Sequence, residues 1–128
     1  PNGEKGLNFA YYEGDWDMLP DFGKLTPKKT GTCGGFDIGK RERDDGFAFK
    51  FTGFLKIAQK GTYALSTASD DGSRLLIGDQ VVANYDGCHG VDEVMGQVEL
   101  DTGMHPITVL FFEKGGGEEL HVRGGKVK

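Results

Sequence analysis

The 128-residue sequence has four prolines, two cysteines, one tryptophan and no long apolar run. A membrane-spanning helix needs about 18–20 consecutive apolar residues, so none is present. No stretch carries a convincing helical period either. Basic residues are outnumbered, 15 against 20 acidic ones, and the net charge is −5. The nearest approaches to a basic cluster, Lys24–Lys29 and Lys40–Arg43, are each followed by acids. Nucleic acid and anionic membranes are therefore poor partners, because phosphate binding needs clustered Lys and Arg, and neither nucleic-acid binding nor membrane insertion is expected. An acidic chain suits cation binding instead. Two cysteines and three histidines give no zinc spacing. Cys33 and Cys88 permit one disulfide, which export would favour and which would be worth roughly 4 kcal/mol in the chain-entropy model. The other reading is two unrelated buried thiols. The chain opens Pro1-Asn2-Gly3 like a piece excised from something longer, so the lack of a signal peptide in it says little about export.

What is abundant is glycine, at 22 residues, spread among apolar and aromatic positions. That composition indicates many turns and many short strands in one domain. Alternation supports it. Phe47, Phe49, Phe51, Leu55 and Ile57 share one face of an extended segment, with Ala48, Lys50, Thr52 and Lys56 on the other. Thr62 to Ala68 alternates with Tyr63 and Leu65 inward, and His105 to Glu113 with Ile107, Val109 and Phe111 inward. Arg74 to Ile77 and Gln80 to Asn84 flank a two-residue hairpin turn at Gly78-Asp79. Asn8–Tyr12, Val94–Leu100 and Glu118–Arg123 are further strands, while Trp16 to Gly39 reads as irregular excursions with one or two short strands. The expected fold is all-β, an antiparallel sandwich or barrel.

Three segments carry candidate chemistry. Asp70-Asp71-Gly72 lies between two strands and can offer several carboxylate oxygens to a hard cation such as Ca²⁺. The plain alternative is one Asp capping the turn and one solvated. The loop Asn84-Tyr85-Asp86-Gly87-Cys88-His89-Gly90 is one hairpin away, so it should share the same rim, where Asn84 and Asp86 add oxygens and Tyr85 an aromatic face. Trp16, between Asp15 and Asp17, can stack on a sugar or anchor one end of the core, the commoner role. Enzyme signatures fail. Gly34 to Lys40 begins a phosphate-binding loop, but Arg41 stands where Ser or Thr is required. Cys88 and His89 are neighbours that point apart, wrong for a nucleophile and its base. The carboxylate pairs Asp44-Asp45 and Glu118-Glu119 read as solvated turn residues.

Taken together, the motifs resemble a known family. Gly6-Leu7-Asn8-Phe9-Ala10-Tyr11-Tyr12-Glu13-Gly14 is similar to the opening of PA14 domains, and Ser69-Asp70-Asp71-Gly72-Ser73-Arg74-Leu75-Leu76-Ile77 to their most recognisable signature. Gly87–Gly90, His105–Glu113 and Gly115–Gly117 extend the resemblance to about residues 6–123 of a single 1–128 domain, cut from a larger multidomain protein. The resemblance implies a PA14 sandwich and a non-catalytic, calcium-assisted glycan-binding module of a secreted or cell-surface protein. In the sugar-binding adhesins of the family, a cis-linked Asp-Asp pair holds a calcium that also ligates sugar hydroxyls. This carries over to Asp70 and Asp71, and the adhesins' second-loop Asn to Asn84; Asp86 is added on local chemistry. Tyr85 and Trp16 would contact the sugar. The alternative is a structural or protein-contact domain with no sugar site. Gly78-Asp79 reverses the family's usual Asp-Gly turn, and the large specificity insertions of the adhesins are missing.

Overall fold

The computed structural model describes residues 7–127; Gly6 of the opening motif lies outside them. The alternating segments become strands close to where the pattern placed them: β1 (Leu7–Glu13), β2 (Lys29–Cys33), β3 (Phe47–Ile57), β4 (Gly61–Asp70), β5 (Ser73–Ile77), β6 (Gln80–Tyr85), β7 (Asp92–Leu100), β8 (Gly103–Glu113) and β9 (Glu119–Lys126). Helix among the described residues is limited to two single 3-10 turns, Phe22–Lys24 and Ile38–Lys40, each opened by an Asp carboxylate that accepts an amide hydrogen bond. No described helix is long and apolar enough to cross a membrane.

Two antiparallel sheets form, one in the order β2-β1-β3-β8-β5-β6 and one in the order β7-β4-β9. They do not close on one another, so the architecture is a sandwich. Phe47, Phe49 and Phe51 of β3 fill its centre with Tyr11, Leu75, Val109 and Phe111, all fully buried.

Ala48 has the opposite parity and is also fully buried. The outer face of the large sheet is covered there by the segment after β1. Trp16, Leu19, Phe22 and Leu25 pack with Tyr12, Ala48 and Phe112 in a second apolar cluster. The irregular segment between β1 and β2 is thus a cover, and Trp16 is one of its anchors.

The cysteines are a correction to the sequence reading. Cys33 pairs with Leu7 at one end of β1. Cys88 follows β6, whose Tyr85 pairs with Ser73 and through it with Phe111 near the other end. Six residues of β1 separate those ends by ~20 Å. A disulfide needs Cα atoms within about 7 Å, and no bridge forms.

The β5–β6 hairpin turns at Gly78, whose φ of +58° suits glycine. Beyond it the pairing slips by one residue between Leu75 and Leu76, a bulge that leaves Val82 unpaired on β6. The Val82 carbonyl lies where a Cβ on Gly96 of β7 would fall. Glycine there lets the edges of the two sheets approach backbone to backbone. Gly96→Ala is accordingly expected to cost about 2–3 kcal/mol, read as a lower urea midpoint with unchanged m value. A midpoint equal to wild type would mean that the two edges separate without penalty.

Candidate functional site: the carboxylate rim

Along the core, side chains become polar toward one end. The interior face of β4 runs from Leu65 to Thr67 and Ser69, both fully buried, and β8 runs from Phe111 to Glu113, also fully buried. Ser69 Oγ donates to the Asp71 carbonyl at 2.8 Å and lies 2.6 Å from Ser73 Oγ. The chain crosses here from the small sheet to the large one, and the Asp70–Asp71 peptide is cis. A Cβ on Gly72 would meet the Phe112 ring and the Gly87 amide, so only glycine fits the crossing.

Asp71 is a hub. Its Oδ1 accepts from the His89 amide at 3.0 Å, and its Oδ2 from the Lys114 amide at 2.8 Å and the Gly115 amide at 3.5 Å. One carboxylate therefore ties the loops after β6 and after β8 to the β4–β5 crossing, and the same-rim placement expected for the two loops holds. Asp70 is half-buried, and burial, followed by the charge of Asp71, raises its pKa.

Glu113 is the unusual member. It is 0% exposed, and neither carboxylate oxygen has a hydrogen-bond partner. Burial first, then the charges of Asp71, Asp70, Asp45 and Glu118, push its pKa up to about 9. Asp70, Asp71 and Glu113 each bring a carboxylate oxygen within 4.8 Å of the others. A buried acid without a donor is costly. Three convergent carboxylates, one of them with both oxygens unpartnered, fit a hard divalent cation, which takes oxygen ligands and leaves positions for water or a ligand.

The other expected site residues lie differently. Asn84 Oδ1 accepts from Arg74 Nε at 2.9 Å on the outer face of the sheet. The bulge is the reason. An unslipped hairpin would set Asn84 opposite buried Ser73, facing the rim; the slip sets it opposite Arg74. Asp86 accepts from the Leu19 and Gly87 amides, both at 2.7 Å, and pairs with Arg74 at 3.4 Å. Asp86 braces the loop and the covering segment, Asn84 holds Arg74, and neither joins the carboxylate cluster. Tyr85 is half-buried and stacked on His89, ring centroids 3.5 Å apart. Trp16 packs in the outer cluster with its ring over Gly14.

Glu113 was missed as a site residue although its signal was legible. It continues the inward series Ile107, Val109, Phe111, and an acid in a core-facing register is a buried-charge warning. His89, Lys114 and Gly115 act through backbone amides and leave no such trace.

A cis-linked acidic pair at a sheet crossover, on a glycine that nothing larger could replace, matches the resemblance drawn from the sequence. The family model of the PA14 domain matches residues 3–125. The chain belongs to the PA14 domain family. No curated protein sequence matches it. Solved structures similar to this PA14 domain include the PA14 domain of the antifreeze protein MpAFP, at 18% identity and a TM-score of 0.74, covering 98% of this chain and 84% of that one. Another is the PA14 sugar-binding domain of an RTX adhesin, at 20% identity and 0.66, covering 95% and 90%. A third is the A domain of epithelial adhesin 9 from Candida glabrata in complex with Galβ1-3GlcNAc, at 14% identity and 0.61, covering 98% and 87%. At these identities the likeness shows a shared fold.

Two clefts, of about 500 and 620 Å³, lie away from the rim. One is on the outer face of β1–β3 and the other between the sheets at the opposite end, beside Leu55 and Val122. Neither is lined by Asp70 or Asp71.

Proposed function

We propose that this PA14 domain is a non-catalytic glycan-binding module that works with a bound Ca²⁺ at the carboxylate rim, within a larger secreted or cell-surface protein. The observation that carries the reading is the convergence of Asp70, Asp71 and Glu113, with both Glu113 oxygens buried and unpartnered. These three would hold the cation, while Asn84 and Asp86 brace the loop through Arg74. A bound Ca²⁺ supplies an oxygen-ligand shell that sugar hydroxyls can share. Structural neighbours described as sugar-binding or solved with a glycan support the ligand class. Useful affinity would come from multiple copies or from the parent chain.

The amide bonds of Asp71 favour a second reading, in which the turn only fixes loop geometry for protein contacts. A melting experiment separates the two. Calcium at about a hundredfold excess over its Kd should raise the Tm of chelator-treated domain by roughly 10 °C, and chelator should abolish binding on a glycan array. Asp70→Asn should lose glycan binding and reduce the melting response, and Asp79→Asn, in the opposite-rim hairpin, should keep both. Glycan binding and melting that ignore chelator would overturn the calcium reading.

A further inference from the structure

We infer that the rim binds a second divalent cation, held by Asp45, Glu113 and Glu118, with Glu113 shared between it and the Asp70–Asp71 site. The inference rests on the cation reading above and extends it to acids that sequence adjacency had marked as merely solvated.

Asp45, Glu113 and Glu118 form a second set whose carboxylate oxygens lie within 4.8 Å of one another, and Glu113 is the only residue common to both sets. The placement is held by backbone. Gly46 donates its amide to the Glu113 carbonyl at 2.9 Å, which keeps Asp45 beside the end of β8. The pairing of Asp70 with Glu119 starts β9 beside β4 and brings in Glu118. Between the two sets, Glu113 is fully buried with neither oxygen partnered. A carboxylate has two oxygens and Glu113 has two flanking acid sets, so a bridging role uses both.

Arg41 does not replace the cation. Its Nη2 is 3.6 Å from Glu118 Oε1, beyond a good hydrogen bond, and it leaves Glu113 unpartnered. Lys114 is turned to Asp15 and Asp17, at 3.1 and 2.8 Å. Once ionised, the five carboxylates of the two sets would face one guanidinium. One divalent cation leaves two negative charges uncompensated, and two leave none. The all-oxygen donor set selects Ca²⁺ or a similar hard ion over zinc.

The test counts ions. Metal-free domain titrated with Ca²⁺ by calorimetry, with equilibrium dialysis as a check, should bind two per chain. Asp45→Asn/Glu118→Gln should bind one, Asp70→Asn should bind the other one, and Glu113→Gln should weaken both at least tenfold. Glu118→Gln alone, at a partly exposed side chain, should weaken one ion tenfold and serves if the double variant does not fold. One ion in wild type, lost in Asp70→Asn, would overturn the second site and leave the proposed function standing. No ion at all would overturn both. Two ions in both Glu118 variants, at wild-type affinity, would also overturn the second site.

Discussion

Asp71→Ala is expected to lower the unfolding free energy by about 3 kcal/mol in calcium-free buffer, before any ligand is considered. Hydrogen bonds to a charged acceptor contribute about 1.5–3 kcal/mol each, and Asp71, only 4% exposed, accepts two short ones from the His89 and Lys114 amides. Those amides belong to different loops, so their loss frees both from the β4–β5 crossing. Removing the charge also relieves Asp70 and Glu113, whose pKa values it raises. That gain keeps the expected loss at the low end of the sum. Asp71→Asn should recover little, because its amide group presents donors to one of the two backbone donors. Urea denaturation gives the magnitude, and amide hydrogen exchange gives the location, with protection lost at His89 and Lys114 first. A loss below about 1 kcal/mol with both amides still protected would mean that other contacts hold the loops.

The strands were readable because alternation survives into the fold: Phe47, Phe49 and Phe51 face the core as their spacing requires. Features set by register were not readable. A single extra residue in β6 moves Asn84 from the rim to the outer face, and nothing in Gln80–Tyr85 announces the slip. Ala48 looked solvent-facing because the covering role of Trp16 to Leu25 depends on tertiary packing that has no period. Asp44-Asp45 and Glu118-Glu119 looked like ordinary surface pairs because sequence adjacency separates side chains on a strand. What gathers Asp45 and Glu118 around Glu113 is pairing between residues dozens of positions apart. The Asp70-Asp71-Gly72 turn was the exception. Its glycine and its paired acids are local, so the family could be read from it.

Glu113→Gln is expected to stabilise the metal-free domain at pH 8 by about 4 kcal/mol and to leave it nearly unchanged at pH 5. The sign follows from linkage. The ordinary carboxyl value of 4.5 is raised to about 9 in the folded domain, by burial and by Asp71, Asp70, Asp45 and Glu118. Between those values the native state holds a proton that the unfolded chain has released. Stability is fully present below pH 4.5 and falls as pH rises toward 9, by up to about 1.4 kcal/mol per unit. Three units, from pH 5 to 8, give the 4 kcal/mol. Glutamine mimics the protonated acid and does not titrate, so its curve should be flatter. The raised pKa of Asp70 acts in the same direction and leaves some slope in the variant. Calcium should reverse the ranking at pH 8. A cation compensates an ionised Glu113 and gives the wild type a gain that the variant lacks. The measurement is urea unfolding from pH 5 to 8, with chelator and with calcium. Parallel curves in chelator would mean that Glu113 is ionised in the native domain despite its burial. Reversal by calcium would then be the separate test of whether its oxygens face a metal. A fully buried acid that destabilises the empty fold is retained at little advantage unless something that binds at the rim uses it, and the crossing of these two stability curves is where that use would be seen.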